Sequence, residues 1–198
     1  VLLYDSKVSG NCYKVRLLFS QLGLAYERRE VDVVERSGRL ELLGHLNPAL
    51  RVPTLVLDDG RSLGESNAIL WFFVEGTRYL PEDHFERAQI LQWMFFEQYS
   101  HEPYIAVLRF WRKVAQITPS EADLQAKLKG GAAALEAMER HLATHQFFVA
   151  ERYTIADIAL YAYTHVAPEA GFDLSPYPQI RGWLDRVAGQ SGHVLISA

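Results

Sequence analysis

Three short stretches of this chain set hydroxyls, amides and a carboxylate beside what read as helix starts. The first is Ser6-Lys7-Val8-Ser9-Gly10-Asn11-Cys12-Tyr13-Lys14-Val15. Ser and Asn are preferred N-caps, so capping alone explains it. The same geometry also suits chemistry. Free N–H groups and the helix dipole favour an anion at that end, and a Ser9 hydroxyl there can donate a hydrogen bond to it. The second stretch is Asn47-Pro48-Ala49-Leu50-Arg51-Val52-Pro53-Thr54-Leu55. A proline just before a strand is either a rigid turn or a cis bond that turns the preceding backbone toward a ligand. The third is Gly64-Glu65-Ser66-Asn67-Ala68-Ile69. It too resembles a cap. It also suits an amino acid head group, with Glu65 facing the ammonium and Ser66 and the helix N-terminus facing the carboxylate.

Those residues need elements to hold them. Val1-Leu2-Leu3-Tyr4 reads as a strand ending in the polar turn of residues 5–10. In the helix that follows, Val15, Leu18, Phe19 and Leu22 share a buried face, Lys14, Arg16 and Gln21 take the other side, and Gly23 ends it. Residues 26–34 alternate as a second strand, and residues 40–46 form a short helix that stops before Pro48. Thr54-Leu55-Val56-Leu57 and Ser62-Leu63 flank Asp58-Asp59-Gly60 as a hairpin, and a helix begins near Glu65. The order β-α-β-α-β-β-α predicts a compact α/β domain over residues 1–75. Its first β-α-β is a parallel unit and its last two strands are antiparallel.

Residues 76–83, with Gly76 and Pro81, read as a linker. Residues 84–198 read as all-helical. Residues 85–115 are one long helix with Pro103 predicted to kink it. Residues 122–144 are the cleanest helix, with Leu124, Leu128, Leu135, Met138 and Leu142 in one stripe. Residues 154–166 and 180–187 follow as shorter ones.

Composition narrows the class. A net charge of −4 and a pI near 6.0 argue against a nucleic-acid binder. The single cysteine, Cys12, excludes an intrachain disulfide and fits a reducing, cytoplasmic home. The opening residues read as a strand rather than a signal sequence, and no apolar run approaches the roughly 20 residues that span a bilayer.

Taken together, in this order and at these intervals, the three stretches resemble the cytosolic glutathione transferases, and the resemblance covers essentially the whole chain. It implies an α/β thioredoxin-like N-terminal domain plus an all-α C-terminal domain. Ser9-Gly10-Asn11-Cys12 is similar to the family's serine-type loop, Val52-Pro53 to its Val–cis-Pro, and Glu65-Ser66 to the pair that holds the γ-glutamyl group. The implied activity is conjugation of glutathione to an apolar electrophile, without a metal. Ser9 would donate to the sulfur, with Asn11 as a second donor. The Val52 backbone would pair with the cysteinyl backbone, next to Pro53. Arg51, or Arg39, would face the glycyl carboxylate. His101, Tyr104, Phe110 and Trp111 are candidates to line the electrophile pocket, although aromatic residues on long helices are more often core.

Two other readings stay open. One is glutathione-dependent disulfide or peroxide reduction, in which Cys12 would matter. The other is a non-enzymatic binding protein of the same fold. The resemblance also implies a homodimer, without membrane or nucleic-acid partners. Thr154-Ile155-Ala156-Asp157 is a capping box that serves folding, and Ala150 stands where the family often has glycine. His141 and His145, four apart, read as a solvated helix face rather than metal ligands.

Overall fold

The computed structural model describes residues Val1–Ala198. The chain packs into two units, Val1–Glu75 with Ser191–Ala198, and Gly76–Gln190. Residues 191–198, expected with the helical domain, therefore belong to the first unit.

In the first unit the order is β1 (Leu2–Asp5), α1 (Gly10–Leu22), β2 (Glu27–Glu30), α2 (Arg39–Leu43), β3 (Thr54–Val56), β4 (Ser62–Gly64) and α3 (Ser66–Phe73). The four strands form one mixed sheet in the order β2-β1-β3-β4. β1 runs parallel to β2, with Leu3 opposite Arg28, and antiparallel to β3, with Tyr4 opposite Thr54. β3 pairs antiparallel with β4 through a turn at Gly60, whose φ is 86°. Alternation along β1 sends Leu3 to one face and Tyr4 to the other. Leu3 joins Val15, Phe19, Leu55 and Ile69 in a core with no solvent exposure. Tyr4 joins Val31 and Leu43. Each such aliphatic side chain adds about 1.5–3 kcal/mol on burial. β2 stops at Glu30, short of the expected residue 34. There Asp32 Oδ1 accepts from the N–H groups of Val34 and Glu35, and this local turn displaces the strand ladder.

The second unit is helical: α4 (His84–Phe96), α5 (Glu102–Arg109), α6 (Glu121–Leu142), α7 (Ile155–Thr164), α8 (Ala167–Ala170) and α9 (Pro178–Ala188). The segment expected as one kinked helix is α4 and α5 separated by a π-helical turn at Glu97–His101, and a second π turn follows at Phe110–Val114. The widened turn ends just before Pro103, which sits in the first turn of α5, where a missing N–H costs little. α7 is buried along its whole length. Its cap is the expected reciprocal box of Thr154 and Asp157. Asp157 also accepts from Phe148 N at 3.2 Å and Trp183 Nε1 at 2.9 Å, so one carboxylate ties the start of α7 to α9 and to the preceding turn. That turn uses left-handed backbone at Ala150 (φ 58°) and Glu151 (φ 49°), although neither residue is glycine.

Candidate functional site

Sheet register brings the three stretches to one end of the first unit. Tyr4 lies opposite Thr54, so the loop leaving β1 emerges where Val52-Pro53 enters β3. Thr54 lies opposite Gly64, so Glu65 and Ser66 leave β4 beside Val52 and Pro53. A side chain at Gly64 would collide with Asn47, since a Cβ there would stand 2.8 Å from Nδ2. The Asn47 amide in turn donates to Arg51 O and to Thr54 Oγ1, which fixes the approach to Pro53. The Val52–Pro53 peptide is cis.

Ser9 is the N-cap of α1, with its backbone extended and its Oγ accepting from Cys12 N at 3.3 Å. Capping occupies a lone pair and leaves the hydroxyl hydrogen able to donate elsewhere. The cap and the donor role are therefore compatible. Cys12 is fully buried, and burial pushes its thiol well above the ordinary range, with Asp5 adding to the effect. It is a core side chain.

Glu65 occupies the N-cap position of α3 at φ 62°, a left-handed conformation that strains a non-glycine residue, and its side chain makes no capping bond. It is exposed, while Ser66 behind it is buried. Ser66 Oγ donates to Asn11 Oδ1 at 3.3 Å, a direct link between the α1 loop and the start of α3. Arg51 is exposed. Arg39, the alternative cation, is buried and donates to Leu50 O and Asp32 O, so it braces the loop on either side of α2.

Two residues expected on the outer side of α1 are buried instead: Lys14 is 0% exposed and Arg16 is 2% exposed. Lys14 Nζ donates to Ser66 Oγ at 3.4 Å. Arg16 donates to Asp5 Oδ1 at 2.6 Å, to Ser6 O and Lys7 O in the Ser9 loop, and to Ile196 O at 2.6 Å. Charged residues spaced like a solvated face hid these positions. Asp5, an acid closing an otherwise apolar strand, was the available signal for Arg16; none pointed to Lys14.

Among the helices, His101 is fully buried, with Nε2 at 2.9 Å from Thr164 Oγ1. That hydroxyl donates to Leu160 O, so the histidine is a core member rather than a pocket liner. Tyr104 is half-buried over Gly130 and lines a groove of about 280 Å³ with Phe96, Tyr99 and Ala133. Phe110 and Trp111 are half-buried. His141 and His145 stack at 4.2 Å between ring centroids, and no group of three His, Cys, Asp or Glu side chains is arranged to hold a metal ion. No helix is long and apolar enough to cross a membrane.

Comparison with known proteins agrees with this architecture. Residues 3–76 match the family described as glutathione S-transferase, N-terminal domain, and residues 92–191 match glutathione S-transferase, C-terminal domain. A crystal structure of a glutathione S-transferase from Pseudomonas fluorescens Pf-5 superposes with a TM-score of 0.95 at 47% identity, covering 100% of this chain and 98% of that one. Glutathione S-transferase D7 of Anopheles gambiae is 32% identical, over 96% of this chain and 88% of its own length. The Disulfide-bond oxidoreductase YfcG of Escherichia coli K12 is 27% identical, over 95% of this chain and 91% of its own. With both domain families matched in sequence order, this chain belongs to the glutathione S-transferase family.

Proposed function

We propose that this protein binds glutathione at the end of the sheet in its first unit, stabilises the thiolate and conjugates it to an apolar electrophile. The observation that carries the reading is the register Tyr4–Thr54–Gly64, which gathers Ser9, Val52-Pro53 and Glu65-Ser66 around one end of the sheet. Ser9 donates to the glutathione sulfur and forms no covalent bond. With the Asn11 oxygen turned to Ser66, any donation from Asn11 toward the sulfur falls to its Nδ2. The Val52 backbone, held by the turn into Pro53, pairs with the cysteinyl residue. Glu65 faces the γ-glutamyl ammonium, and Ser66 with the N-terminus of α3 faces its carboxylate. Arg51, exposed while Arg39 is engaged, takes the glycyl carboxylate. A free thiol has a pKa of about 8.5, so a donor and a helix N-terminus at the sulfur raise the fraction of nucleophile at neutral pH. Tyr104 and Trp111 are retained as electrophile contacts, and His101 is not.

A homodimer in the cytoplasm is part of this reading. Exposed Phe72, Phe85, Phe95 and Tyr99 offer apolar surface to a second copy, and the lone buried thiol fits a reducing compartment. Disulfide reduction by bound glutathione is the second reading, favoured by the relative named as a disulfide-bond oxidoreductase. Buried Cys12 has no part in it. Calorimetric titration with glutathione tests the shared premise: binding is expected, and no heat of binding at millimolar ligand overturns it. Faster turnover of a chloronitrobenzene than of hydroxyethyl disulfide then selects conjugation, and the reverse selects reduction.

A further inference from the structure

Lys14 has no solvent exposure, yet it lies in the second turn of a helix whose start forms the candidate site. Its Nζ donates to Ser66 Oγ at 3.4 Å, and Ser66 Oγ donates to Asn11 Oδ1 at 3.3 Å. A serine oxygen carries one hydrogen and two lone pairs. With Lys14 on a lone pair, the hydrogen must point away from Lys14, to Asn11 or to whatever acceptor takes its place. Lys14 thereby holds Ser66 in the donor state. It also sets a positive charge behind the first residue of α3, in surroundings where water screens little.

The other neighbour of Ser66 is Glu65, exposed and held at a strained φ of 62°. Ser66 is thus flanked by a buried cation and an outward carboxylate. That pair matches the zwitterionic head of an α-amino acid, its carboxylate drawn to the Ser66 side and its ammonium to Glu65.

We propose that Lys14 is a positioning and specificity-determining residue, which fixes Ser66 as a donor and supplies the charge that selects a free α-carboxylate at the γ-glutamyl end of the ligand. This rests on the glutathione reading above. Lys14 touches neither sulfur nor electrophile, so it acts through Ser66 and on binding rather than on the chemical step.

The test compares glutathione with the analogue whose γ-glutamyl α-carboxylate is a carboxamide, by calorimetry on the full chain. The wild type is expected to bind the carboxamide about thirtyfold more weakly, the worth of a charge-assisted hydrogen bond. In Lys14→Met the discrimination should fall below about threefold, while turnover at saturating glutathione stays within about threefold of wild type. Lys14→Arg should restore the discrimination. If Lys14→Met does not fold, Lys14→Gln, which keeps a donor and drops the charge, carries the same comparison. Undiminished discrimination in the neutral variant overturns the proposal. So does equal affinity of the wild type for both peptides. A wild type that binds neither peptide instead overturns the glutathione reading itself.

Discussion

At Ser9 one oxygen has two directions of hydrogen bonding to offer. Its lone pair caps α1 through Cys12 N, and its hydrogen is left for a ligand. The cap seen at Ser9 and the thiolate donation proposed for it are therefore compatible in one rotamer. The neighbouring thiol is the residue to separate from this chemistry. Cys12 is sealed in the core, and burial holds it in the neutral form. Cys12→Ala should lower stability by about 1 kcal/mol for the lost packing, and leave turnover of both a chloronitrobenzene and hydroxyethyl disulfide within about twofold. A tenfold loss of disulfide reduction would place the thiol in the reaction. The cap at Ser9, the turn at Val52-Pro53 and the helix start at Glu65-Ser66 were legible in the sequence because each is a local signature of residue type next to a turn. Lys14 and Arg16 were harder to read, because their burial depends on partners outside α1: Ser66 for one, Asp5 and Ile196 for the other. Charges at helical spacing are usually solvated, and nothing within α1 itself marks the exception.

At the scale of elements, the α7 box shows how one carboxylate can organise a start, a turn and a neighbouring helix. Asp157 is fully buried, and desolvation raises its pKa from the ordinary 3.8 to about 6 despite the donors around it. The sign of the resulting pH dependence follows from linkage. With the folded-state value above the unfolded one, the native protein holds more protons between pH 3.8 and about 6. Its stability is then highest below that window and declines across it, by up to about 1.4 kcal/mol per pH unit. Asp157→Asn should remove that slope from a series of urea melts. It should also destabilise the fold by about 2–4 kcal/mol, because an amide cannot accept on both of its heavy atoms. An unchanged slope would mean another group carries it. The box was readable from Thr154 and Asp157 alone. The π turns flanking α5 were not, since a widened turn keeps the helical pattern of apolar residues and differs only in hydrogen-bond register. The end of β2 was missed for a related reason: alternation continues through residue 34 while the Asp32 turn has already taken the backbone.

At the scale of the molecule, the chain returns to its first unit. Residues 191–198 lie along α1, where Tyr13 Oη donates to Val194 O at 2.7 Å and Arg16 to Ile196 O at 2.6 Å. Arg16 also grips Ser6 O and Lys7 O, so this tail and the Ser9 loop share one guanidinium. Removing residues 193–198 should cost about 1–3 kcal/mol, as charge-assisted hydrogen bonds are lost, and should speed amide exchange across residues 6–9. Unaltered exchange there would show that the tail does not steady the loop. The loop matters because it carries Ser9, the proposed thiolate donor. The most direct measurement is an ultraviolet titration of the thiolate of bound glutathione, in wild type and in Ser9→Ala. The wild type should ionise the bound thiol well below the free value of about 8.5. Ser9→Ala should raise that pKa by about one unit and cut conjugation about tenfold. The same pKa and the same turnover in both proteins would contradict the assignment of Ser9 as the thiolate donor.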